Sequence, residues 1–230
     1  MMLRILAFVS LVVFALLGKT AQSAPPPDGW KITTVDAPGD RGSFSSLALD
    51  SSGRPHIAYH DATDQSLCYA WWDGAAWVFQ VVDDSGDPGF FASLALDAGG
   101  APHISYMDGL GYDLKYARWE GATWIVQTVA STGMVGSYSS LALDGAGRPH
   151  IAYYDEIDQD LCYSFHDGGA WQTQLVDAAG NAGTYASLAL DSAGFPHISY
   201  ASFTSCTALR YAYQDAVGWH IENADVPPGG

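Results

Sequence analysis

Apolar and polar positions recur along this chain with a period of 47 residues. In the first repeat the recurring core is Ser46–Asp50, then Gly53, then Pro55–Tyr59. It returns three times, at Ser93–Asp97 with Pro102–Tyr106, at Ser140–Asp144 with Pro149–Tyr153, and at Ser187–Asp191 with Pro196–Tyr200. A period of this length indicates one supersecondary unit copied in tandem, so the pattern predicts a repeat architecture.

Each repeat contains four short runs of strand length, rich in β-branched and aromatic residues. Turn signals separate the runs, including Gly53 and the pair Asp73 and Gly74. No run after the N-terminal segment has helical periodicity, so the pattern predicts four strands per repeat. In the first repeat these strands are Phe44–Asp50, Pro55–Asp61, Leu67–Trp72 and Trp77–Val82.

Both faces of these strands are largely apolar. In the third run the alternating sets are Leu67, Tyr69 and Trp71 on one face, and Cys68, Ala70 and Trp72 on the other. A sheet with one face in water would alternate apolar with polar residues, so both faces are expected to be buried. The pattern predicts an all-β fold, a β-propeller of four-stranded antiparallel blades, with the narrow Ser-Leu-Ala-Leu strand innermost and the Trp strand outermost.

The strand count is uneven. The first three strands occur four times, whereas the Trp strand begins five times, at Trp30, Trp77, Trp124, Trp171 and Trp219. The prediction is therefore four 47-residue repeats plus one extra outer strand. In a closed four-bladed ring, Trp30–Asp36 and Trp219–Asp225 would compete for the outer edge of the last blade. In a larger ring, the chain would stop just before its next inner strand.

Odd and even repeats differ systematically. Repeats one and three share Arg-Pro-His-Ile-Ala-Tyr and a cysteine, Cys68 or Cys162. Repeats two and four share Pro-His-Ile-Ser-Tyr and carry Lys115 or Arg210 at the cysteine position. This alternation indicates duplication of a two-blade unit and favours an even number of blades, four here or six or eight in a longer parent. The two cysteines are expected to be buried thiols in separate blades.

The motif Leu-Asp-x-x-Gly-x-Pro-His-Ile-x-Tyr, followed by Leu-x-Tyr and Gly-x-x-Trp, resembles the propeller repeats of sialidase-like (BNR-type) proteins over nearly all of residues 30–225. This resemblance implies a fold and not an activity, because the sialidase Asp-box pattern Ser-x-Asp-x-Gly-x-Thr-Trp is not present as such. The 47-residue period is also similar to that of tachylectin-type lectin propellers, which have five blades.

The N-terminus has the pattern of a signal peptide. Arg4 precedes the apolar run Ile5–Leu17, and small residues follow at Ala21–Ser23. The expected organisation is a signal peptide at 1–23, a Pro-rich linker at 24–29, a propeller domain at 30–225 and a C-terminal tail at 226–230. We therefore expect a secreted, periplasmic or extracellular protein with no membrane insertion after signal cleavage. The formal net charge of −16 makes nucleic acid a poor partner.

Two sets of polar residues could suggest metal chemistry. The repeated histidines lie in different blades, too far apart to share a zinc ion, so each is expected to bond an aspartate across its own turn and tie the hairpin together. These residues are His56, His103, His150 and His197 with Asp50, Asp97, Asp144 and Asp191. The acidic loop with Asp155, Asp158 and Asp160 is a candidate for weak calcium binding, although solvated turn residues are the alternative.

The residues that break the repeat do not converge as an active site would. They are Arg41, His60, Glu120, Glu156, His166 and Glu222, at different strand levels. We therefore expect a recognition module and not an enzyme, with glycans or cell-surface proteins as partners and equivalent sites in several blades. A structural scaffold and a sialidase-like glycoside hydrolase are the alternatives. The candidate sugar-stacking residues, which could equally be blade packing, are Trp72, Trp77, Trp119, Trp124, Trp171 and Trp219.

Overall fold

The computed structural model describes residues 31–203 and 208–224, and within these ranges it contains sixteen β-strands and no helix. The expected signal peptide, the linker at 24–29 and the tail at 226–230 lie outside the described residues. The strands of the first two sheets, blades 1 and 2, are β1 (Arg41–Leu49), β2 (Pro55–Asp61), β3 (Ser66–Trp72), β4 (Trp77–Asp83), β5 (Pro88–Leu96), β6 (Pro102–Asp108), β7 (Leu114–Trp119) and β8 (Trp124–Ala130). Those of blades 3 and 4 are β9 (Val135–Leu143), β10 (Pro149–Asp155), β11 (Asp160–His166), β12 (Trp171–Asp177), β13 (Ala182–Leu190), β14 (Pro196–Ser202), β15 (Ala208–Gln214) and β16 (Trp219–Asn223).

Within every blade the four strands follow one another across the sheet, each antiparallel to the next. The first strands of consecutive blades contact one another, which makes them innermost. This arrangement confirms the predicted propeller, with the Ser-Leu-Ala-Leu strand inside and the Trp strand outside. In blade 1 the register places His56 opposite Ala48 on β1 and opposite Trp71 on β3.

Consecutive blades meet where the third strand of one lies against the first strand of the next. A Cβ atom added to Gly136 on β9 would lie 3.1 Å from Cα of Leu114 on β7. One added to Gly183 on β13 would lie 2.8 Å from Cα of Leu161 on β11. Because a side chain would block this approach, glycine at this position sets how closely two blades pack.

The core lies between the blades. The contact between two consecutive blades is here called a joint, and equivalent core residues recur at each joint. Between blades 3 and 4, the buried side chains that pack together include Leu161, Tyr163, Leu188, Ile198 and Tyr200. Their equivalents between blades 1 and 2 are Leu67, Tyr69, Leu94, Ile104 and Tyr106. Burying each such side chain stabilises the fold by about 1.5–3 kcal/mol, so the joints supply most of the apolar contribution to folding.

The serine of the Ser-Leu-Ala-Leu strand also links consecutive blades. Its hydroxyl oxygen accepts a hydrogen bond from the backbone N–H of the leucine one repeat later, and this bond satisfies a donor that the strand ladder leaves unpaired. The three bonds are Leu94 to Ser46 at 3.0 Å, Leu141 to Ser93 at 3.0 Å and Leu188 to Ser140 at 2.9 Å. The serine therefore has two roles: it is small enough for the innermost strand, and it bonds the next blade.

The four blades form an open arc and not a closed ring. Among the described residues, no strand of blade 4 packs against blade 1 as consecutive blades do. Leu47 on β1 is 62% exposed, whereas its equivalents Leu94, Leu141 and Leu188 are 7–9% exposed. At the other end Leu209 on β15 is 49% exposed, and its equivalents Leu67, Leu114 and Leu161 are fully buried. The blade number of four agrees with the repeat count, but the first and last blades each have one apolar face that no other blade covers, and on blade 1 Val35 packs against part of it.

The extra outer strand predicted at Trp30–Asp36 is not seen in its described part. Residues 31–36 are not in a strand, and the outer edge of blade 4 is formed by β16. The tight turn between β15 and β16 explains this outcome. Asp215 donates its N–H to the carbonyl of Gly218 at 3.1 Å, so β16 pairs with its immediate neighbour in the chain.

The alternation of odd and even repeats corresponds to a difference in buried charge. In blade 2, Lys115 Nζ lies 3.8 Å from Asp83 at the end of β4, and 2.9 Å from Asp108 in its own blade. In blade 4, Arg210 Nη1 lies 2.7 Å from Asp177 at the end of β12. Tyrosine hydroxyls donate to the same two carboxylates, Tyr106 to Asp83 and Tyr200 to Asp177. Each even blade is thus linked to the odd blade before it by an ion pair between its lysine or arginine and an aspartate of that blade.

At the position of Lys115 and Arg210, the odd blades have cysteines, which carry no charge. Cys68 is buried and Cys162 partly buried, and both are free. Burial raises the pKa of both thiols, and that of Cys162 to about 12. They are therefore neutral at physiological pH and act as small apolar side chains, as expected from the sequence.

The close approach of blades predicts a specific sensitivity at Gly183. We expect Gly183→Ala to lower the free energy of unfolding by about 3 kcal/mol, because the new Cβ meets Leu161 and because its φ of +118° disfavours a side chain. Gly145→Ala is the control. That glycine has no atom within 4 Å of an added Cβ and is not in the left-handed region, so we expect a change below about 0.5 kcal/mol. Urea unfolding of both variants measures the difference, and equal stabilities would contradict the proposed role of the joint.

Candidate ligand-binding site between blades

Two equivalent cavities lie on the joints between consecutive blades. The cavity between blades 1 and 2 has a volume of about 350 Å³, and the cavity between blades 2 and 3 about 320 Å³. The first is lined by His56, Tyr69, Trp71 and Gln80 from blade 1 and by Gly99–Pro102 and Trp119 from blade 2. The second is lined at the matching positions by His103, Tyr116, Arg118 and Gln127 from blade 2 and by Ala146–Pro149 and His166 from blade 3.

The fold explains why these residues meet. Tyr69 and Trp71 are alternate residues of β3, so their side chains leave the sheet on the same face. Their rings stack on each other with centroids 5.3 Å apart. The far wall is the turn before Pro102 at the start of β6, together with Trp119 at the end of β7. Each cavity therefore combines two strands of one blade with a turn of the next.

The repeated histidines bond a tyrosine and not the predicted aspartate. Nδ1 of His197 lies 2.5 Å from the hydroxyl of Tyr211, and the same pairing joins His56 to Tyr69, His103 to Tyr116 and His150 to Tyr163. In all four repeats Nε2 of the histidine lies 3.8 Å from the aspartate, beyond hydrogen-bond distance. These aspartates are Asp50, Asp97, Asp144 and Asp191.

The aspartate is held by its own turn instead. Oδ1 of Asp50 accepts the N–H groups of Ser52 and Arg54, both at 2.8 Å. These bonds, above all that from Arg54, lower the pKa of Asp50 to about 2. Because its acceptor sites face the turn, the carboxylate is not free to bond the imidazole. The sequence correctly places the two residues side by side, but it assigns the hydrogen bond to the wrong partner.

Burial dominates the electrostatics of the histidines. It lowers the pKa of His56, His103 and His150, and in each case the nearby aspartate offsets the effect only in part. The imidazoles are therefore neutral at physiological pH. Since Nδ1 is engaged by the tyrosine, Nε2 is the ring nitrogen on the side of the aspartate, and in His56 it is buried with no hydrogen-bond partner.

Three of the predicted sugar-stacking tryptophans are joint residues. Trp124, Trp171 and Trp219 each begin an outer strand and place the ring edge against a tyrosine of the preceding blade, with centroids 5.3–5.4 Å apart. Their indole N–H groups donate to glutamines of that blade, Gln80, Gln127 and Gln174. These contacts fix the glutamine amides that line the cavities, so the tryptophans support the site from behind.

The other predicted tryptophans divide between the cavity and the outer edge. Trp119 lines the first cavity. Trp72 and Trp77 pack edge to face on each other at 5.9 Å, in the outer hairpin of blade 1, and line neither interblade cavity. Sequence reasoning missed Trp71, which lies next to Trp72 but on the opposite face of β3. The alternation of side chains along β3 was the signal that could have separated the two.

The matching positions differ in chemistry from joint to joint. Trp71 in blade 1 becomes Arg118 in blade 2 and Phe165 in blade 3. Trp119 becomes His166 in blade 3, and Ala101 in the turn becomes Arg148. The frame of histidine, tyrosine and glutamine is constant. The cavities are therefore built alike, but one is mainly aromatic and the other carries cationic groups.

One carboxylate of the acidic loop, the candidate calcium site, bonds backbone amides of its own turn. Asp155 Oδ1 accepts the N–H groups of Ile157 at 2.9 Å and Asp158 at 3.1 Å, and so closes the turn between β10 and β11. Burial, followed by repulsion from Asp158 and Asp155, raises the pKa of Asp160. Across residues 31–203 and 208–224, no three His, Cys, Asp or Glu side chains are grouped so as to hold a metal ion. The hydrogen bonds of Asp155 fit the alternative, a turn residue, and calcium binding by this loop stays a prediction.

A second concave surface lies along the innermost strands. Each of these strands carries one aromatic residue with φ between 52° and 57°, namely Phe44, Phe91, Tyr138 and Tyr185. Neighbouring rings are 4.5–5.0 Å apart and line a shallow groove of about 230 Å³. Bulky residues seldom adopt this backbone conformation, and such strain concentrates at functional sites. Irregular register in each first strand turns these rings inward, which no hydrophobic periodicity signals.

Comparison with known proteins relates the chain to solved structures only. No protein-family model matches the sequence, and no curated protein is similar to it. A protein of unknown function from Dyadobacter fermentans matches 81% of this chain and 70% of its own, with 12% identity and a TM-score of 0.61. The six-bladed fucose-recognising lectin of Aleuria aurantia matches 82% and 65%, with 15% identity and a TM-score of 0.54. A PL25 polysaccharide lyase, an ulvan lyase, matches 81% and 58%, with 13% identity and a TM-score of 0.55.

These similarities establish the fold. The chain spans between 58% and 70% of the three longer chains. Because the matched proteins include a lectin and a lyase, the propeller alone does not distinguish binding from catalysis. The chain is a β-propeller protein, and its function has to be argued from the cavities themselves.

The buried histidines predict a pH dependence of stability. Their folded pKa lies below the ordinary value of 6.5, so the unfolded chain binds more protons as the pH falls through that value. We expect the free energy of unfolding, measured in urea, to be lower at about pH 5.5 than at about pH 7.5.

The double variant His103→Gln and His150→Gln provides the control. It should be less stable than the parent at the higher pH, but its stability should change less between the two pH values. A parent protein whose stability is the same at both would show that these imidazoles do not resist protonation.

Proposed function

We propose that the chain is an exported recognition module that binds carbohydrate in the cavities between blades. The observation that carries the proposal is the cavity between blades 1 and 2. There the rings of Tyr69, Trp71 and Trp119 face a space of about 350 Å³ that also holds His56 and Gln80. A sugar ring presents C–H groups on its faces and hydroxyls at its edges. Aromatic rings beside fixed polar groups suit both features.

The polar groups are held in place before any ligand arrives. The amide of Gln80 is positioned by the indole N–H of Trp124 at 3.0 Å, and the imidazole of His56 is positioned by the hydroxyl of Tyr69. Fixed side chains lose little conformational freedom on binding, so weak polar contacts contribute more to affinity. A cavity of this size suits one or two sugar units.

The differences between joints support sites of unlike preference. The cavity between blades 2 and 3 contains Arg118 and Arg148 in place of an aromatic and a small residue. Arg118 pairs with Glu120 at 2.5 Å, and Arg148 with Asp144 at 2.6 Å. Both arginines are about half exposed, so a carboxylate or sulfate on a sugar could take over one of these contacts. The first cavity suits a neutral sugar and the second an acidic one.

The known folds lend support of a coarser kind. A six-bladed lectin that recognises fucose has a similar propeller, which is consistent with glycans as ligands. Export rests on the signal-peptide pattern of residues 1–23, and extracellular glycans or cell-surface proteins would then be the partners. The described part of the chain holds no helix of the length and apolar character needed to span a membrane.

The hydrolase alternative receives no support from the arginines of the described residues. A sialidase-like site would need several arginines around one substrate carboxylate. Here each arginine pairs with acids of its own surroundings, in separate places: Arg41 with Asp36, Arg54 with Asp50, Arg118 with Glu120, Arg148 with Asp144 and Arg210 with Asp177. A scaffold that binds another protein through the same face is the remaining alternative.

A glycan array followed by calorimetry on the best ligand tests the proposal. We expect Trp119→Ala and Trp71→Ala each to weaken binding at least about tenfold, because each removes a stacking surface. Trp72→Ala is the matched control, since it removes the same side chain from the same strand on the face away from the cavity. Its affinity should equal that of the parent.

Two results would separate the alternatives. Absence of glycan binding above background on the array would abandon the lectin proposal and favour the protein-binding scaffold. Binding that is lost in Tyr185→Ala but retained in Trp71→Ala and Trp119→Ala would move the site from the joint to the groove of the innermost strands.

A further inference from the structure

The two ends of the arc are the two halves of one more joint. The face of blade 1 that contains Gly42, Ser45 and Leu47 is here called the head face. The face of blade 4 that contains Ser199, Leu209 and Tyr211 is called the tail face. Every internal joint sets a tail-type face against a head-type face, whereas among the described residues no blade covers either of these two. In the described part of the chain, only Val35 and Asp36 lie against the head face, at the outer end where Val82 and Asp83 lie in the joint between blades 1 and 2. We infer that the head face of one copy of this chain docks on the tail face of a second copy.

The backbone fit is already present at the head face. In blades 3 and 4 the equivalent glycines, Gly136 and Gly183, touch the backbone of the preceding blade. An added Cβ on Gly42 would have no atom within 4 Å, and this glycine borders a cavity of about 230 Å³ together with Tyr59 and Ile57. The depression that receives a neighbouring third strand at the internal joints is therefore formed on blade 1, where Val35 and Asp36 border it and no strand fills it. At the other end of the arc, Leu209 lies on β15, the third strand of blade 4, which corresponds to the third strands that enter such depressions at the internal joints.

The groups that form the polar contacts of a joint are also present at the two open ends. Ser140 Oγ accepts the N–H of Leu188, and Ser187 and Leu47 are the equivalents of this pair at the two open ends. The ring of Tyr163 receives the edge of Trp219. In the same way Tyr211 on blade 4 would receive the edge of Trp77 from the second copy. Glu222 stands at the position of Gln80, so its carboxylate would accept the indole N–H of Trp77 as Gln80 accepts that of Trp124.

The alternation of odd and even blades indicates which internal joint the contact between two copies should resemble. Blade 4 is even and blade 1 is odd, so their contact would be of the same type as the joint between blades 2 and 3. There Ser105 and Ser139 are buried and their hydroxyl oxygens lie 2.9 Å apart. Their equivalents, Ser199 and Ser45, are both exposed. The two open ends thus each carry one exposed serine of a pair that is buried in the internal even-to-odd joint.

The chemistry therefore commits the occupant to a second copy. The apolar residues, the small residue at the close approach and the serine pair at the open ends match the sequence of the joint between blades 2 and 3. A contact of this kind is heterologous, because each copy uses a different face. It leads to a ring where the rotation closes and to an open chain of copies where it does not. In either case the association depends on one head face and one tail face.

Two single substitutions make the test directional. Leu47→Asp blocks the head face and leaves the tail face intact, whereas Leu209→Asp does the reverse. Both leucines are exposed in the single copy, so each variant should fold. Sedimentation or light scattering on the purified chain should show assemblies of two or more copies for the parent and single copies for each variant. An equimolar mixture of the two variants should form a dimer with one copy of each and nothing larger.

The controls separate docking from non-specific association. Val217→Asp changes an exposed apolar residue in the turn between β15 and β16, away from both faces, and should associate like the parent. The pair Ser45→Trp and Ser199→Trp repeats the design without adding charge, and circular dichroism confirms that each variant is folded.

Three results would overturn the inference. A parent that stays a single copy at all concentrations would show that something other than a second copy covers these faces, such as further blades of a longer chain. Self-association of Leu209→Asp with loss in Leu47→Asp would show a head-to-head contact. A mixture of the two variants that stays as single copies would show that the head and tail faces do not fit one another.

Discussion

A blade of this protein has two apolar faces, and each needs a neighbour to cover it. A four-stranded sheet with one wet face could be stable with a single partner, but these sheets bury leucine, tyrosine and isoleucine on both sides. The joint is consequently the stabilising unit, and the blade is what lies between two joints. The close approach at Gly183, the hydroxyl link from Ser140 and the edge contact of Trp219 all belong to the joint between blades 3 and 4. Stability in such an array is nearly a sum over neighbours.

The division between joint and cavity explains which residues repeat. Residues that make the joint have the same partners in every blade, so Leu67, Leu114 and Leu161 are identical. Residues that only face the space between blades are free to vary, as Trp71, Arg118 and Phe165 do. A position that changes inside an otherwise constant repeat therefore marks the lining of the space between blades, whereas Trp124, Trp171 and Trp219 pack in the joints.

The sequence predicts the strands, their order and the propeller well, because the 47-residue period and the alternation along each strand are local signals. It also places His56 beside Asp50 correctly. It does not show that Tyr69 is the hydrogen-bond partner, since that pairing depends on the register between β2 and β3. The open arc is likewise not predictable from the motif, because Leu47 and Leu94 are the same residue in the same pattern and differ only in whether a blade precedes them. The inward turn of Tyr138 requires an irregular strand, for which periodicity has no sign.

The alternation of charge has a consequence for how such a chain can lengthen. Lys115 and Arg210 each reach back to a carboxylate at the end of the blade before them, so an odd blade and the even blade after it form a matched couple. Insertion of a single blade would set two like neighbours together and leave an aspartate such as Asp83 or Asp177 without its cation. Insertion of an odd blade together with the even blade after it would keep each of these ion pairs. The electrostatics of the fold therefore favours lengthening by two blades at a time.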